Sequence, residues 1–315
     1  MAVVVLRDLP GKQGDGVYLV GRSGMSPVPG WGERPGELNT GDGALLTAFV
    51  SFVRDQFPAR RYALVLWDHG DGWRRAEQSA PPRSLTGIQA DREAGSSQPS
   101  LAERPLGLRG VCFDYDGADT VRDFLEVPEL REALVQAGLR LDLIGFDACL
   151  MGMAEVAYEL KDAASVMVAS EEVVPGDGWP YDAVLAWLGQ NPSADGAALG
   201  RAIVSAYAES HSGSLGQCAP VMSAVDLARM ADVQAKAGTL AEALQRGYPQ
   251  YKSGIDRATW ECDYFESDLH DYRDLYDFAC LVADYCRSSA EISAQAGELM
   301  AGIDAAVLEH RVAAG

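Results

Sequence analysis

Basic residues, long apolar runs and paired cysteines are all scarce in this sequence. Among its 315 residues, 26 Lys and Arg stand against 46 Asp and Glu, so the formal net charge is −20 at pH 7. Such an excess of negative charge repels phosphate backbones and anionic lipid surfaces, and it favours cationic or basic-peptide partners. The longest apolar runs are far shorter than the ~18 residues that a membrane-spanning helix needs. We therefore expect neither a nucleic-acid partner nor a membrane span.

Metal-ligand spacings are missing as well. The six cysteines are scattered without a CxxC pair, which is typical of free thiols and not of a disulfide scaffold or a zinc cluster. His211, His270 and His310 have no Cys or His at the spacing of a zinc site. Acidic residues between positions 263 and 277 leave a calcium site as an alternative, but they lack EF-hand spacing. We predict no cofactor and no bound metal.

The N-terminal residues do not resemble a secretion signal. Residues 1–6 have no basic n-region, and their apolar stretch is shorter than the h-region of a signal peptide. This pattern predicts a cytoplasmic protein. A secreted protein with a further segment upstream of this numbering is the alternative.

Apolar runs of strand length alternate along the chain with segments of helical periodicity, as in α/β proteins. Several of these strands are apolar throughout, which is typical of parallel strands covered by helices on both faces. We predict an αβα sandwich around a mostly parallel sheet. Residues 1–225 form its main domain, and residues 226–315 form a mostly helical C-terminal region packed on it. After a first hairpin, the predicted strands are Tyr62–Trp67, Gly110–Asp114, Leu141–Phe146, Ser165–Ala169 and, as the last, Val221–Val225.

Two of the predicted strands end in residues that can carry out chemistry. One strand leads into Asp68, His69 and Gly70, and another leads into Asp147 and Cys149. The ends of parallel strands meet at the same edge of a sheet, where ligands bind. A histidine is a natural base for a cysteine nucleophile, and the backbone N–H of a glycine can donate to an oxyanion. Taken singly, the cysteine could be a small buried hydrophobe and the histidine a satisfied polar residue, but their paired placement favours a Cys–His site.

The same two segments resemble the signatures of a known family. The first reads LVLWDHGDGW at residues 64–73, and the second reads DACLMGM at residues 147–153. In this order they are similar to the His and Cys signatures of the clostripain family, whose members are cysteine endopeptidases with a caspase-like fold. The resemblance implies that fold and activity for this chain. Supporting matches in register lie at residues 37–42, 169–181, 223–227 and 274–278.

The resemblance also assigns roles to single residues. It implies that Cys149 is the nucleophile, that His69 is its general base, and that the family's cleavage after Arg or Lys applies here. Asp147 occupies the position of the carboxylate that selects a basic side chain, and Asp177 is the expected second carboxylate. We expect the N–H groups of Gly70 and Cys149 to hold the oxyanion. The alternatives are a helix-capping role for Asp147 and an ordinary turn position for Asp177.

Residues 74–109 differ in composition from the rest of the chain. Ala, Pro, Ser, Gly, Gln and Glu dominate and large apolar residues are few, which predicts an exposed, mobile loop. Members of the clostripain family commonly mature by self-cleavage at basic residues between the His and Cys blocks, so the resemblance implies processing here. An insertion that is never cut is the alternative. The candidate cleavage sites are Arg83 and Arg92 first, then Arg74, Arg75 and Arg109.

Together these features predict a cysteine endopeptidase that acts on protein or peptide substrates with exposed Arg, and also Lys, through an acyl-enzyme. The competing hypothesis is a non-catalytic module whose acidic cleft binds basic peptides. The sequence does not indicate which oligomeric state the protein adopts.

Overall fold

A computed structural model describes residues 1–9, 14–31, 38–73, 110–114, 123–213, 221–265 and 272–312. Strands and helices within these residues are numbered in chain order. The strands are β1 Val4–Arg7, β2 Gly16–Gly21, β3 Gly24–Pro27, β4 Ala63–Trp67, β5 Val111–Asp114, β6 Asp123–Leu125, β7 Leu141–Asp147, β8 Ala164–Ala169, β9 Val221–Asp226, β10 Tyr264–Phe265, β11 Tyr272–Arg273 and β12 Val307–Val312. The helices are α1 Gly43–Gln56, α2 Val127–Gln136, α3 Ala154–Glu159, α4 Tyr181–Gln190, α5 Gly196–Ser210, α6 Met230–Glu261, α7 Leu275–Tyr285 and α8 Ala290–Ala306, with a 3-10 turn at Leu227–Arg229.

The central sheet has the strand order β12-β9-β8-β7-β4 over the described residues. Strands β4, β7 and β8 are parallel, whereas β9 and β12 run antiparallel to their neighbours. Leu143, Ile144 and Phe146 of β7 are fully buried, as expected for a strand in the middle of a sheet with both faces covered. The α/β class is confirmed, but the sheet is mixed where we expected it to be mostly parallel.

Strand β12 was not expected from the sequence. Residues 307–312 lie in the region predicted to be helical, and Val221–Val225 was predicted to be the last strand. Instead β12 pairs with β9, with Val312 opposite Val221. The C-terminal region therefore contributes a strand to the sheet, and the predicted domain boundary after residue 225 stays a prediction.

Helix α5 packs against the sheet, mostly on β9 and β12 and to a smaller extent on β8 and β7. At its start, a Cβ on Gly196 would lie 2.1 Å from the carbonyl oxygen of Asp142, near the beginning of β7. Further along, a Cβ on Gly200 would lie 3.2 Å from side-chain atoms of Ala224 and Val166. The small residues let the helix lie close to the sheet. Its C-terminal end reaches the edge where β7 ends, since the C-cap His211 lies near enough to Asp147 to act on its charge.

The C-terminal helices α6, α7 and α8 pack on one another. Helix α6 contains Pro249 and departs from helical geometry at Tyr251. No helix in the described ranges is long and apolar enough to cross a membrane.

Candidate active site

The parallel pairing of β4 and β7 sets the relative position of the His and Cys blocks. Trp67, the last residue of β4, lies opposite Asp147, the last residue of β7. His69 and Cys149 each follow two residues after this matched pair. The two residues therefore leave the sheet at the same edge and at equal distances along their strands, as the sequence predicted for parallel strands.

Gly70 brings the backbones of the two turns into direct contact. A Cβ on this residue would lie 2.4 Å from the carbonyl oxygen of Cys149 and 3.0 Å from side-chain atoms of Ala148 and Met151. Gly70 also forms an isolated antiparallel bridge with Val111. A glycine is required here because any side chain would force the His-bearing and Cys-bearing turns apart.

The residues after Gly70 attach the turn that carries His69 to two other strands, β5 and β11. The Asp71 N–H donates to the Gly110 carbonyl at 3.0 Å, and the Tyr272 hydroxyl donates to the Asp71 carbonyl at 2.7 Å. Gly72 has a φ of +77°, and a Cβ there would lie 2.4 Å from the Tyr272 hydroxyl oxygen. Hydrogen bonds to Gly110, just before β5, and to Tyr272 of β11 therefore fix the position of this turn.

Asp68 directly precedes His69 and is largely removed from solvent. Burial raises its pKa to about 6, although backbone N–H groups of His69 and Phe113 bond the carboxylate and act in the opposite direction. The nearby Asp114 raises the pKa further. A carboxyl group that titrates near pH 6 therefore lies immediately beside the histidine in the chain.

Cys149 lies beneath the segment that follows β8. Its side chain is 4% exposed, and its sulfur accepts a hydrogen bond from the Val174 N–H at 3.3 Å. The Leu150 N–H donates to the Glu172 carbonyl at 3.3 Å, and Leu150 has a φ of +62°. The N–H group that bonds the sulfur therefore comes from the segment after β8.

Asp147 is buried at the end of β7, with 3% of its surface exposed. Its Oδ2 accepts hydrogen bonds from the Trp179 N–H at 3.0 Å and from the Tyr181 hydroxyl at 2.9 Å. Burial raises the pKa of Asp147, while these bonds and the charge of His211 lower it. The N-cap of α3 is Met153 and has no side-chain cap bond. The helix-capping alternative for Asp147 is therefore wrong.

The second oxygen of this carboxylate belongs to a group of buried polar atoms. Among the described residues, Asp147 Oδ1, Trp179 Nε1, Tyr207 Oη and His211 Nε2 have no hydrogen-bond partner. Buried polar atoms are paired in nine cases out of ten or more, so several unpaired ones in one place indicate a binding site. This group lies on the sheet edge that bears Cys149.

Asp177 occupies an exposed turn on the approach to Trp179. The turn is closed by the Gly178 N–H, which donates to the Pro175 carbonyl at 2.9 Å. Gly178 has a φ of +60°, and a Cβ there would lie 2.7 Å from Asp147 Oδ2. The structure therefore places Asp177 on the same loop as the groups that bond Asp147, but in contact with solvent.

Two predictions concern parts of the chain that the structure does not describe fully. The candidate cleavage sites Arg74, Arg75, Arg83, Arg92 and Arg109 lie outside the described residues. Within the described ranges, no group of three or more His, Cys, Asp or Glu is arranged to hold a metal ion. The absence of a cofactor stays a prediction, because residues 266–271 of the acidic stretch are also outside these ranges.

Comparison with known families identifies this arrangement of His and Cys blocks. The family model described as the clostripain family matches residues 3–98 and 99–306. The chain belongs to the clostripain family. Clostripain of Hathewaya histolytica is 31% identical over 155 residues, which cover 47% of this chain and 24% of clostripain. The match thus spans about a quarter of the length of that curated relative.

Solved structures of similar proteins agree with the clostripain-family fold. The secreted C11 cysteine protease from Bacteroides thetaiotaomicron, in complex with an irreversible peptide inhibitor, has a TM-score of 0.63 at 18% identity, covering 94% of this chain and 70% of that one. The inactive zymogen C11 protease from Parabacteroides distasonis has a TM-score of 0.61 at 18% identity, covering 94% and 69%. These likenesses confirm the predicted caspase-like α/β fold.

Sequence reasoning did not connect four aromatic and imidazole side chains with this clostripain-family site. Trp179, in the loop after β8, and Tyr181, at the start of α4, contact Asp147. Tyr207 and His211 approach it from the end of α5. Tyr207 and His211 are four residues apart, a spacing that places two side chains on one face of a helix. The sequence therefore indicates that Tyr207 and His211 share one face of a helix. Only the course of α5 in the structure shows that this face lies towards Asp147.

Proposed function

We propose that this protein is a cysteine endopeptidase that cleaves peptide bonds after arginine, and also after lysine, through Cys149 and His69. The observation that supports this proposal most strongly is the contact of Gly70 with the Cys149 backbone. It brings the turn that carries a base against the turn that carries a nucleophile. Membership of the clostripain family supplies the same pair of roles.

Cys149 and His69 act in two stages. The Cys149 sulfur attacks the carbonyl carbon of the scissile bond, and the thiol proton passes to the imidazole of His69. The tetrahedral intermediate then expels the amine, which takes that proton from His69 and leaves a thioester on the sulfur. In the second stage His69 removes a proton from water, the resulting hydroxide attacks the thioester, and Cys149 is released as a thiol when the proton returns.

Backbone N–H groups stabilise the oxyanion in both stages. We assign this role to Gly70 and Cys149, because the two turns are in contact at these residues. The hydrogen bond of the turn to the Gly110 carbonyl comes from Asp71 and not from Gly70. Donors held rigidly at the site of developing charge are worth a factor of about 10²–10³ in rate.

Asp147 selects the basic side chain of the substrate. One of its carboxylate oxygens is held by the Trp179 N–H and the Tyr181 hydroxyl, while Oδ1 is buried without a partner among the described residues. A buried carboxylate is unfavourable without a cation beside it, and an arginyl side chain supplies one. Asp177, exposed on the loop that leads to Trp179, adds negative charge at the mouth of this pocket.

Cleavage after arginine would also allow the enzyme to process its own chain between residues 74 and 109. This segment offers arginines between the His and Cys blocks, and Arg83 and Arg92 remain the preferred sites. The structural relative from Parabacteroides distasonis is described as an inactive zymogen, which supports a precursor that needs cleavage. Fragments ending at these arginines should form in wild-type protein and not in Cys149→Ala.

Other parts of the proposal concern partners and location. The substrates are proteins or peptides with exposed Arg or Lys, attracted by the net charge of −20. The cytoplasmic location expected from the sequence stays a prediction, and the relative from Bacteroides thetaiotaomicron is described as secreted. Cell fractionation of the native producer with an antibody to this chain distinguishes the two locations.

The alternative is a module that binds basic peptides without cleaving them. Peptide substrates with Arg, Lys or Leu before a fluorogenic leaving group separate the two functions when they are tested on wild type, Cys149→Ala and His69→Ala. The enzyme predicts cleavage of the arginyl substrate by wild type and loss of cleavage in both variants, with unchanged thermal unfolding. Tight binding of the arginyl peptide by wild type without any turnover would establish the binding module instead.

A further inference from the structure

Asp147 and the side chains near it carry more than one unpaired polar atom. Tyr207 is fully buried, and Asp147 and His211 are 3% and 5% exposed. Asp147 Oδ1, Tyr207 Oη and His211 Nε2 nevertheless have no hydrogen-bond partner among the described residues. The rings of Tyr207 and His211 lie 4.4 Å apart, and burial together with the charges of Asp147 and Cys149 raises the pKa of Tyr207.

The hydrogen bonds around His211 determine which of its ring nitrogens carries the proton. Nδ1 lies 3.0 Å from the Tyr207 carbonyl and 2.9 Å from Ser210 Oγ. The Ser210 hydroxyl itself donates to the Tyr207 carbonyl at 2.9 Å, so its oxygen is left to accept. Nδ1 must therefore be the donor, since a carbonyl cannot donate to it. In the neutral imidazole this leaves Nε2 as an acceptor.

The direction of α5 adds negative potential at the same place. His211 caps the C-terminal end of this helix, where the last carbonyl groups carry partial negative charge. Two acceptors, Asp147 Oδ1 and His211 Nε2, and the hydroxyl of Tyr207 are thus buried and unpaired on side chains that interact electrostatically, next to a negative helix end. This combination matches a cationic group with several N–H donors.

We infer that His211 and Tyr207 are specificity-determining residues, which accept N–H groups of a substrate guanidinium and make the pocket prefer arginine to lysine. The inference rests on the proposed function, because it assumes that Asp147 lies at the base of the pocket for the basic side chain. A guanidinium presents five N–H groups in a planar fork and can donate to Asp147 and His211 together. An ammonium has three N–H groups on one nitrogen and leaves an acceptor unpaired.

The test uses His211→Asn, His211→Gln and Tyr207→Phe. Asn retains a donor towards the Tyr207 carbonyl but has no atom at the Nε2 position, whereas Gln returns an acceptor to it. We compare kcat/KM for matched arginyl and lysyl peptides under the same buffer conditions. His211→Asn should lower the Arg-to-Lys ratio by about 10- to 100-fold, the range for a hydrogen bond to a charged group. His211→Gln should restore most of it.

Tyr207→Phe separates a role in specificity from a role in stability. Its hydroxyl has no partner to lose, so the melting temperature should stay the same or rise while the Arg-to-Lys ratio falls. Tyr62→Phe is the matched control, because the Tyr62 hydroxyl accepts from the Ala59 N–H at 2.8 Å and donates to the Phe57 carbonyl at 3.3 Å. That variant should melt at a lower temperature and keep the wild-type ratio.

The outcomes distinguish this inference from the proposed function. One outcome is that wild type prefers arginine while His211→Asn and Tyr207→Phe both keep the Arg-to-Lys ratio of kcat/KM within twofold of wild type. In that case the inference is wrong and the proposed peptidase function stands. If wild type cleaves neither the arginyl nor the lysyl substrate, the proposed function fails and the inference fails with it.

Discussion

Replacing Gly70 with alanine tests the contact on which the active-site geometry depends. The added Cβ would lie 2.4 Å from the Cys149 carbonyl oxygen and 3.0 Å from the side chains of Ala148 and Met151. The carbonyl oxygen belongs to the backbone and cannot swing aside as the end of a flexible side chain can. The His-bearing and Cys-bearing turns must therefore separate by about 1 Å to restore an ordinary van der Waals contact.

A separation of this size should lower both activity and stability. A shift of about 1 Å in reacting groups costs about 100-fold in rate, so we expect kcat/KM for an arginyl substrate to fall by about 10- to 100-fold. Crowding of a packed interior typically costs about 1–3 kcal/mol. The free energy of unfolding should fall by that amount, and most of the protein should remain folded at 25 °C.

The assay for Gly70→Ala combines steady-state kinetics with urea unfolding, and Gly238→Ala is its control. A Cβ on Gly238, in α6, meets no atom within 4 Å, and alanine is favoured over glycine inside a helix by about 1 kcal/mol. The control should be as active as wild type and slightly more stable. Wild-type kcat/KM in Gly70→Ala, with unchanged stability, would refute the close contact of the two turns.

Three further predictions concern the pocket and its surroundings. Asp147→Asn should lower kcat/KM for arginyl substrates by about 100-fold and leave leucyl substrates unaffected, and an equal loss for both would remove Asp147 from the pocket. Gly145→Ala should weaken the arginine preference, because its Cβ would lie 2.6 Å from the Trp179 ring; an unchanged preference would show that the ring adapts. Burial raises the pKa of Asp68 from 3.8 to about 6, so this carboxyl group should contribute a loss of about 1–3 kcal/mol in unfolding free energy as the pH rises from 4 to 7. Asp68→Asn should remove that loss in urea titrations, and an identical pH dependence in both proteins would contradict it.

The parts of the site that follow directly from strand order were predictable from the sequence. Tyr62–Trp67 and Leu141–Phe146 are apolar runs that end in distinctive residues, and parallel strands bring their ends to one edge. His69, Cys149 and Asp147 could therefore be placed together before the structure was known. Their exact register, with Trp67 opposite Asp147, could not, because a run of apolar residues does not specify its pairing.

Other features depend on packing that leaves no local signal. Strand β12 follows α8 without a glycine or proline between them, and its residues include Glu309, His310 and Arg311. Such a strand at the end of the sheet order does not need the continuous apolar pattern of a central one. Likewise, His211 shows no metal-ligand spacing, and only the course of α5 brings it towards Asp147.

The central claim is that Cys149 is the nucleophile of an arginine-directed peptidase. Its most direct test is the intact mass of freshly reduced protein after incubation with a peptidyl-arginine covalent inhibitor, for wild type and Cys149→Ala. We expect one inhibitor adduct on wild type and none on the variant. Folded, reduced wild type that gains no adduct, or a Cys149→Ala variant that gains one, would contradict it.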